Sequence, residues 1–240
     1  TGKILAMGSL PNFDPNTYSS SSLSTFLNPA TQGVYEPGSV LKVLTMAAGL
    51  DSGSITPETT YVDVGSLTIN GRTIQNYDLK KHGAYGRATM SNIIEHSINT
   101  GAVFVQRETG RETFAKYLSL FGFSENTGVD LPNEIAGNIT RLNPKERDIA
   151  FATAAYGQGV ATTPLELVNA VSVLANGGTL MRPYVNAAMA PEAIRRVISE
   201  KTAQEVITMM VSAVDKADVA TVAGYSLAGK TGTAFIPDFK

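Results

Sequence analysis

Three short sets of side chains in this sequence could do chemistry together. In Ser39-Val40-Leu41-Lys42 a hydroxyl and an amine stand three residues apart, one face of a helix, so the Lys42 amine can approach the Ser39 hydroxyl. A serine hydroxyl is a weak nucleophile until a base takes its proton, and a lysine held in an apolar place can lose its own proton and act as that base. Free N–H groups at a helix start would favour the negative charge that develops on a carbonyl under attack. In Ser97-Ile98-Asn99 a hydroxyl able to relay a proton stands beside a carboxamide that can donate and accept toward an amide substrate. In Lys230-Thr231-Gly232-Thr233 an ammonium and two hydroxyls would flank a backbone open to an extended peptide, with Gly232 leaving room for close approach. Each set alone is weak. Roughly one Ser-x-x-Lys is expected by chance in a chain of this size.

The elements that must position these residues can be read around them. Pro37-Gly38 punctuates the chain before an apolar run, Val40 to Leu50, that predicts a helix with Ser39 at or beside its first turn. Residues 65–74 predict a hairpin, because Asn70-Gly71 supplies the positive φ of a type I′ turn between β-branched segments. From Thr89 to about Phe121 the pattern is helical with a break at Gly110. Pro164 opens a further helix that ends at Asn176-Gly177-Gly178, and Glu200 to about Val214 reads as another. Lys3 to Gly8 and Gly224 to Ile236 read as extended, the latter placing Lys230-Thr231-Gly232 on an edge strand. Residues 1 to 36 are otherwise rich in Pro, Asn and Ser, which is loop composition. Strands at both ends with helices between them fit an α+β fold better than alternating βαβ units.

Composition narrows the function. With 43% hydrophobic and 17% charged residues the chain of 240 residues can bury a core. A net charge of −2 argues against a nucleic-acid binder. No cysteine is present, which removes disulfides, thiolate catalysis and Cys-ligated metal, and with two histidines, His82 and His96, a His-rich metal centre or a Ser-His-Asp triad has little to draw on. His96 has no assignable carboxylate partner and reads as structural or exposed. No apolar run reaches the ~20 residues of a membrane span. Residues 224–231 match the phosphate-binding expression G-x-x-x-x-G-K-[ST], but that cradle needs a helix opening at the Lys-Thr, which Thr233, Ile236 and Pro237 oppose. Glu166, two residues after Pro164, reads as a first-turn acid. Gly157-Gln158-Gly159 reads as a tight turn before a helix.

Taken in order, Ser-x-x-Lys, Ser-x-Asn and Lys-Thr-Gly are far more specific than any one of them, and with them the chain resembles the transpeptidase domain of class B penicillin-binding proteins. The flanks extend the resemblance over essentially all of residues 1–240: Gly2-Lys3-Ile4-Leu5-Ala6-Met7, Pro11-Asn12-Phe13-Asp14-Pro15-Asn16, Tyr35-Glu36-Pro37-Gly38-Ser39, and Gly157-Gln158-Gly159 leading to Thr163-Pro164-Leu165. The resemblance implies a β-lactamase/transpeptidase-like fold, an antiparallel sheet flanked by helices with an all-helical region. It implies Ser39 as nucleophile on a D-Ala-D-Ala stem peptide, Lys42 as general base, Ser97 as proton relay, Asn99 as holder of the substrate amide, and Lys230 with Thr231, Gly232 and Thr233 at the substrate carboxylate. The backbone N–H groups of Ser39 and Thr233 would form the oxyanion hole. The acyl-enzyme would pass to an amine of a second stem peptide, a β-lactam would acylate the same serine, and no cofactor or metal would be needed. The full protein is expected to be anchored by an upstream membrane helix and to work with cell-wall synthesis partners on the outer face of the bacterial cytoplasmic membrane. Ile98, where class A β-lactamases carry aspartate, favours the penicillin-binding side over a serine β-lactamase, and the intact Ser39-Lys42 pair argues against an inactive β-lactam sensor. Relatives begin a strand earlier and continue after Lys-Thr-Gly, so the fold is expected to be incomplete at both ends, a piece of a longer product or one whose open edges pair with something.

Overall fold

The computed structural model describes residues 1–217 and 220–233. After 3-10 turns over Pro15–Ser20 and Leu23–Phe26, a short helix α1 (Pro29–Gln32) leads to a 3-10 turn, Gly38–Val40, and then α2 (Leu41–Asp51). Every residue of α2 from Leu41 to Leu50 is buried, including Lys42, so this helix is buried all round and forms the axis of the core. The chain continues through β1 (Thr60–Asp63), β2 (Ser66–Ile69), β3 (Arg72–Gln75), α3 (Leu79–His82) and β4 (Gly86–Thr89) into α4 (Met90–Glu95), α5 (Asn99–Thr109) and α6 (Arg111–Leu120). It ends in α7 (Asp148–Ala154), α8 (Pro164–Ala175), β5 (Thr179–Met181), β6 (Ala193–Arg196) and α9 (Glu200–Ala217). Helices α5, α6 and α9 pack on α2, and Leu44, Met46, Val103, Phe114, Phe151 and Val206 meet in one continuous core.

Local sequence accounts for much of this. Asn70 (φ 49°) and Gly71 (φ 77°) close the β2–β3 hairpin with Ile69 opposite Arg72, as the Asn-Gly pair predicts. Helix α8 opens with a reciprocal capping box between Thr163 and Glu166 and Pro164 in its first turn, which bears out Glu166 as a first-turn acid. The Glu166 carboxylate also accepts from the amides of Ser124 and Gly137, each at 2.9 Å, tying two loops to the helix start.

The described residues are α+β, as expected, with strands in three two-stranded antiparallel sheets, β1–β4, β2–β3 and β5–β6. Two expectations need correction. Lys3 to Gly8 makes only a parallel bridge from Lys3 to Tyr184, and residues 225–233 run without a ladder partner; a strand exists only where a neighbour takes its hydrogen bonds in series, and among the described residues no strand continues beside these segments. Residues 234–236 lie outside the described residues. The helical stretch from Thr89 breaks twice, at Gly110 and at His96–Ile98, where Ser97 takes φ 54° and Ile98 turns extended and is fully buried.

Candidate active site

The turn that carries Ser39 is built on glycine. Gly38 takes φ 56°, and its amide donates to the Gly157 carbonyl at 3.0 Å. Gly157 (φ 83°) lies so close that a β-carbon on it would overlap the Gly38 carbonyl oxygen. Glu36 accepts from the Gly159 amide at 2.8 Å, which ties the same two segments together on the other side. The tight turn read in Gly157-Gln158-Gly159 is thus the backing of the serine turn. Ser39 itself is half-buried in the 3-10 turn before α2 and makes no capping bond to that helix. Its hydroxyl is left to face the cleft.

One turn on, Lys42 is 1% exposed. Its ammonium donates to the Ser97 carbonyl, to Ser97 Oγ at 3.0 Å and to Asn99 Oδ1 at 2.7 Å. Among the described residues no hydrogen bond joins it to the Ser39 hydroxyl, although the spacing predicts their approach. A buried cation takes the acceptors that satisfy it best, and three of them converge from the α4–α5 break. Burial pushes the Lys42 amine well below its ordinary range; the Lys230 charge pushes the same way, and the Asp78 carboxylate opposes them.

The second and third motifs meet at one oxygen. Lys230 Nζ lies 2.8 Å from Ser97 Oγ and also donates to the Thr231 carbonyl at 3.0 Å and the Thr231 hydroxyl at 3.2 Å. Burial pushes the Lys230 amine down to about 8. Ser97 Oγ therefore stands between two ammonium groups, and with two lone pairs it can accept from both while its own proton points elsewhere. The left-handed turn at Ser97 presents its hydroxyl and its carbonyl to Lys42 together. Gly232 passes Val40 so closely that a β-carbon would stand 2.8 Å from Val40 Cγ2, which packs the third motif against the serine turn.

These groups border a cleft of ≈ 840 Å³ lined by Ser39, Ser97, Asn99, Thr231 and Thr233, with Tyr156 and Gln158 from the glycine turn. Asn76, Tyr77, Asp78 and Lys80, which follow the β2–β3 hairpin, complete the wall. No local signal marked these four, since their position depends on how the hairpin docks. Asp78 accepts from the Tyr85 hydroxyl, and the Tyr85 ring stacks on His82 and His96 at 4.2 and 4.8 Å. His96 is exposed at the cleft and its contact is aromatic, in keeping with its reading from sequence. No helix begins at Lys230 among the described residues, so the phosphate-loop match has no cradle.

A half-buried serine, a buried lysine whose charge is disfavoured, and a second cation joined to it through one hydroxyl make a site suited to acyl transfer on an anionic substrate. The model of the penicillin-binding protein transpeptidase domain matches residues 1–238. The chain is 35% identical to the stage V sporulation protein D of Bacillus subtilis over 97% of this chain and 38% of that protein. It is 31% identical to the probable peptidoglycan D,D-transpeptidase FtsI of Caulobacter vibrioides over 97% of this chain and 40% of that one. Among solved structures it is similar to the D,D-transpeptidase domain of a peptidoglycan glycosyltransferase from Eggerthella lenta, with a TM-score of 0.85, 25% identity, and coverage of 99% of this chain and 65% of that one. The transpeptidase domain of Burkholderia pseudomallei penicillin-binding protein 3 aligns with a TM-score of 0.79 and 30% identity over 89% of this chain and 64% of that one. This chain belongs to the penicillin-binding protein transpeptidase family, and it spans less than half the length of the curated relatives named here.

Proposed function

We propose that residues 1–240 are the acyl-transfer part of a peptidoglycan D,D-transpeptidase that works outside the bacterial cytoplasmic membrane as a piece of a longer, membrane-anchored protein. Ser39 Oγ attacks the carbonyl between the two D-alanines of a stem peptide, and its proton passes to neutral Lys42. The N–H groups of Ser39 and Thr233 take the oxyanion, where each such donor is worth about 3–4 kcal/mol. Ser97 returns the proton to the departing D-alanine amine, Asn99 holds the substrate amide, and Lys230 with Thr231, Gly232 and Thr233 binds the terminal carboxylate. An amine from a second stem peptide then takes the acyl group from Ser39 and leaves a cross-link. A β-lactam, which presents a strained amide and a carboxylate in the same places, acylates Ser39 and stays.

The observation that carries this reading is the contact of both Lys42 and Lys230 with Ser97 Oγ, which links the base, the relay and the carboxylate anchor in one chain of hydrogen bonds. Intact mass after addition of benzylpenicillin tests it. The wild type is expected to gain one drug mass that persists, and Ser39→Ala to gain none. An adduct that forms equally in Ser39→Ala removes Ser39 as nucleophile, and drug consumed without a lasting adduct would make the protein a β-lactamase.

A further inference from the structure

Asp63, the last residue of β1, is 2% exposed. A carboxylate so deeply buried must be held by hydrogen bonds. Its Oδ1 accepts from the Gly65 amide at 3.2 Å, the Asn76 side-chain amide at 3.1 Å and the Thr100 hydroxyl. Its Oδ2 accepts from the Tyr85 amide at 2.8 Å and again from the Asn76 side chain at 3.1 Å. Burial pushes the Asp63 carboxyl up, but these donors together outweigh it and hold it below the usual carboxylate range, so it stays ionised at neutral pH.

The second half of the network points at the site. Asn76, its NH₂ fixed by Asp63, turns Oδ1 to the Thr100 amide at 3.1 Å. That amide lies in the first turn of α5, where N–H groups have no partner within the helix. The neighbour of Thr100 is Asn99, whose Nδ2 donates to the Gln75 carbonyl at 2.9 Å and whose Oδ1 accepts from Lys42 at 2.7 Å. Two consecutive residues leaving the hairpin, Gln75 and Asn76, thus hold two consecutive residues opening α5, and Asp63 locks the orientation of one of them.

We propose that Asp63 is a positioning residue for acylation of Ser39: through Asn76 and Thr100 it fixes the Asn99 carboxamide, and through Asn99 the Lys42 amine. The inference rests on the roles given above to Ser39 and Lys42. Without the Asp63 charge, the Asn76 amide is free to flip and set its NH₂ against the Thr100 N–H, donor facing donor; without the Thr100 hydroxyl, which also lies 3.1 Å from Asn76 Oδ1, the helix start loses its direct tie to the carboxylate. The first turn of α5 then loosens and Asn99 Oδ1 withdraws from Lys42. An acceptor that favours the ammonium is lost, so Lys42 gives up its proton more readily while standing in the wrong place. In Thr100→Val the charged groups facing Lys42, Lys230 and Asp78, keep their contacts and His96 stays on Tyr85; Asp63→Asn also disturbs the Tyr85 amide that Asp63 holds, and so is the less selective of the two changes.

The test is the rate of benzylpenicillin acylation against pH, with thermal melting, for wild type, Thr100→Val, Thr100→Ser and Asp63→Asn. Thr100→Val is close in shape and removes the hydroxyl that meets Asp63 and Asn76. It is expected to lower the plateau rate by roughly ten- to a hundredfold, the range a small misplacement costs, and to move the acid limb to lower pH. Thr100→Ser, which keeps the hydroxyl, is expected to restore both, and Asp63→Asn to resemble Thr100→Val. If Thr100→Val melts lower yet its folded fraction acylates with the wild-type plateau and limb, Asp63 and Thr100 serve the fold alone and the proposal is wrong. A Thr100→Ser variant as impaired as Thr100→Val overturns it too. A wild type that forms no adduct overturns instead the reading of Ser39.

Discussion

Replacing Lys230 with glutamine removes one charge while keeping a side chain that can donate to Ser97. Because Ser97 Oγ is 3.0 Å from Lys42 Nζ and 2.8 Å from Lys230 Nζ, the two nitrogens are at most about 6 Å apart. Two like charges at about 6 Å repel by about 2.8 kcal/mol at an effective dielectric constant of 20. That repulsion adds to the larger effect of burial in disfavouring the Lys42 ammonium. Losing it stabilises the ammonium by up to the same amount, and at 1.36 kcal/mol per tenfold the neutral fraction of Lys42 on its acid limb falls by up to about a hundredfold. The limb of the acylation profile therefore moves to higher pH, the opposite direction from Thr100→Val. Loss of carboxylate binding lowers the curve without moving that limb, so its position, read from adduct formation by mass spectrometry across pH, isolates the charge effect. A descending limb near the value of about 8 that burial gives Lys230 should also vanish in Lys230→Gln. An acid limb that stays in place refutes the coupling of the two lysines.

Gly157→Ala sets a β-carbon against the Gly38 carbonyl at a φ of 83°, and should cost roughly 2–4 kcal/mol in urea unfolding and abolish the benzylpenicillin adduct. Gly232→Ala crowds only the end of the Val40 side chain, the Pro37 carbonyl oxygen standing at an ordinary 3.7 Å, so acylation should slow several-fold while melting stays within about 2 °C of wild type; a large drop in melting temperature would contradict that. Phe114→Ala empties a fully buried position in the core and should cost about 3–5 kcal/mol by denaturant titration. Between about 8 and 10.5 the folded protein has lost the Lys230 proton that the unfolded chain still holds, so this group makes stability rise with pH in that window. Urea melts across it should show a shallower rise in Lys230→Gln.

Features set by a few neighbouring residues were legible in the sequence. The hairpin turn at Asn70-Gly71, the start of α8 at Thr163-Pro164 and its end at Gly177 depend on backbone conformations that those residue types favour by themselves. The three motifs were legible as types at fixed spacings, and the structure gathers Ser39, Lys42, Ser97, Asn99 and Lys230 about one cleft. A polar break before Gly101 can be read at Ser97-Ile98-Asn99, but its left-handed turn cannot, because a serine takes φ 54° only where distant groups reward it, here Lys42 and Lys230. The extended patterns at Lys3 to Gly8 and over residues 225–233 form no ladder among the described residues, since such a pattern says nothing about whether a neighbour exists. Asn76, Tyr77 and Asp78 carry no local mark of their place in the wall.

By itself the sequence determined which chemical groups are present, their order, and the turns and caps that need no distant contact. Only the tertiary structure decided what each group touches. Lys42 stands three residues from Ser39, yet its ammonium binds Ser97 and Asn99, 55 and 57 residues away. Asp63, Asn76 and Thr100, far apart in the chain, form the buried network behind them. The reason is the same in both cases: a charge taken out of water must find acceptors or donors wherever folding brings them, and that need acts through space rather than along the chain.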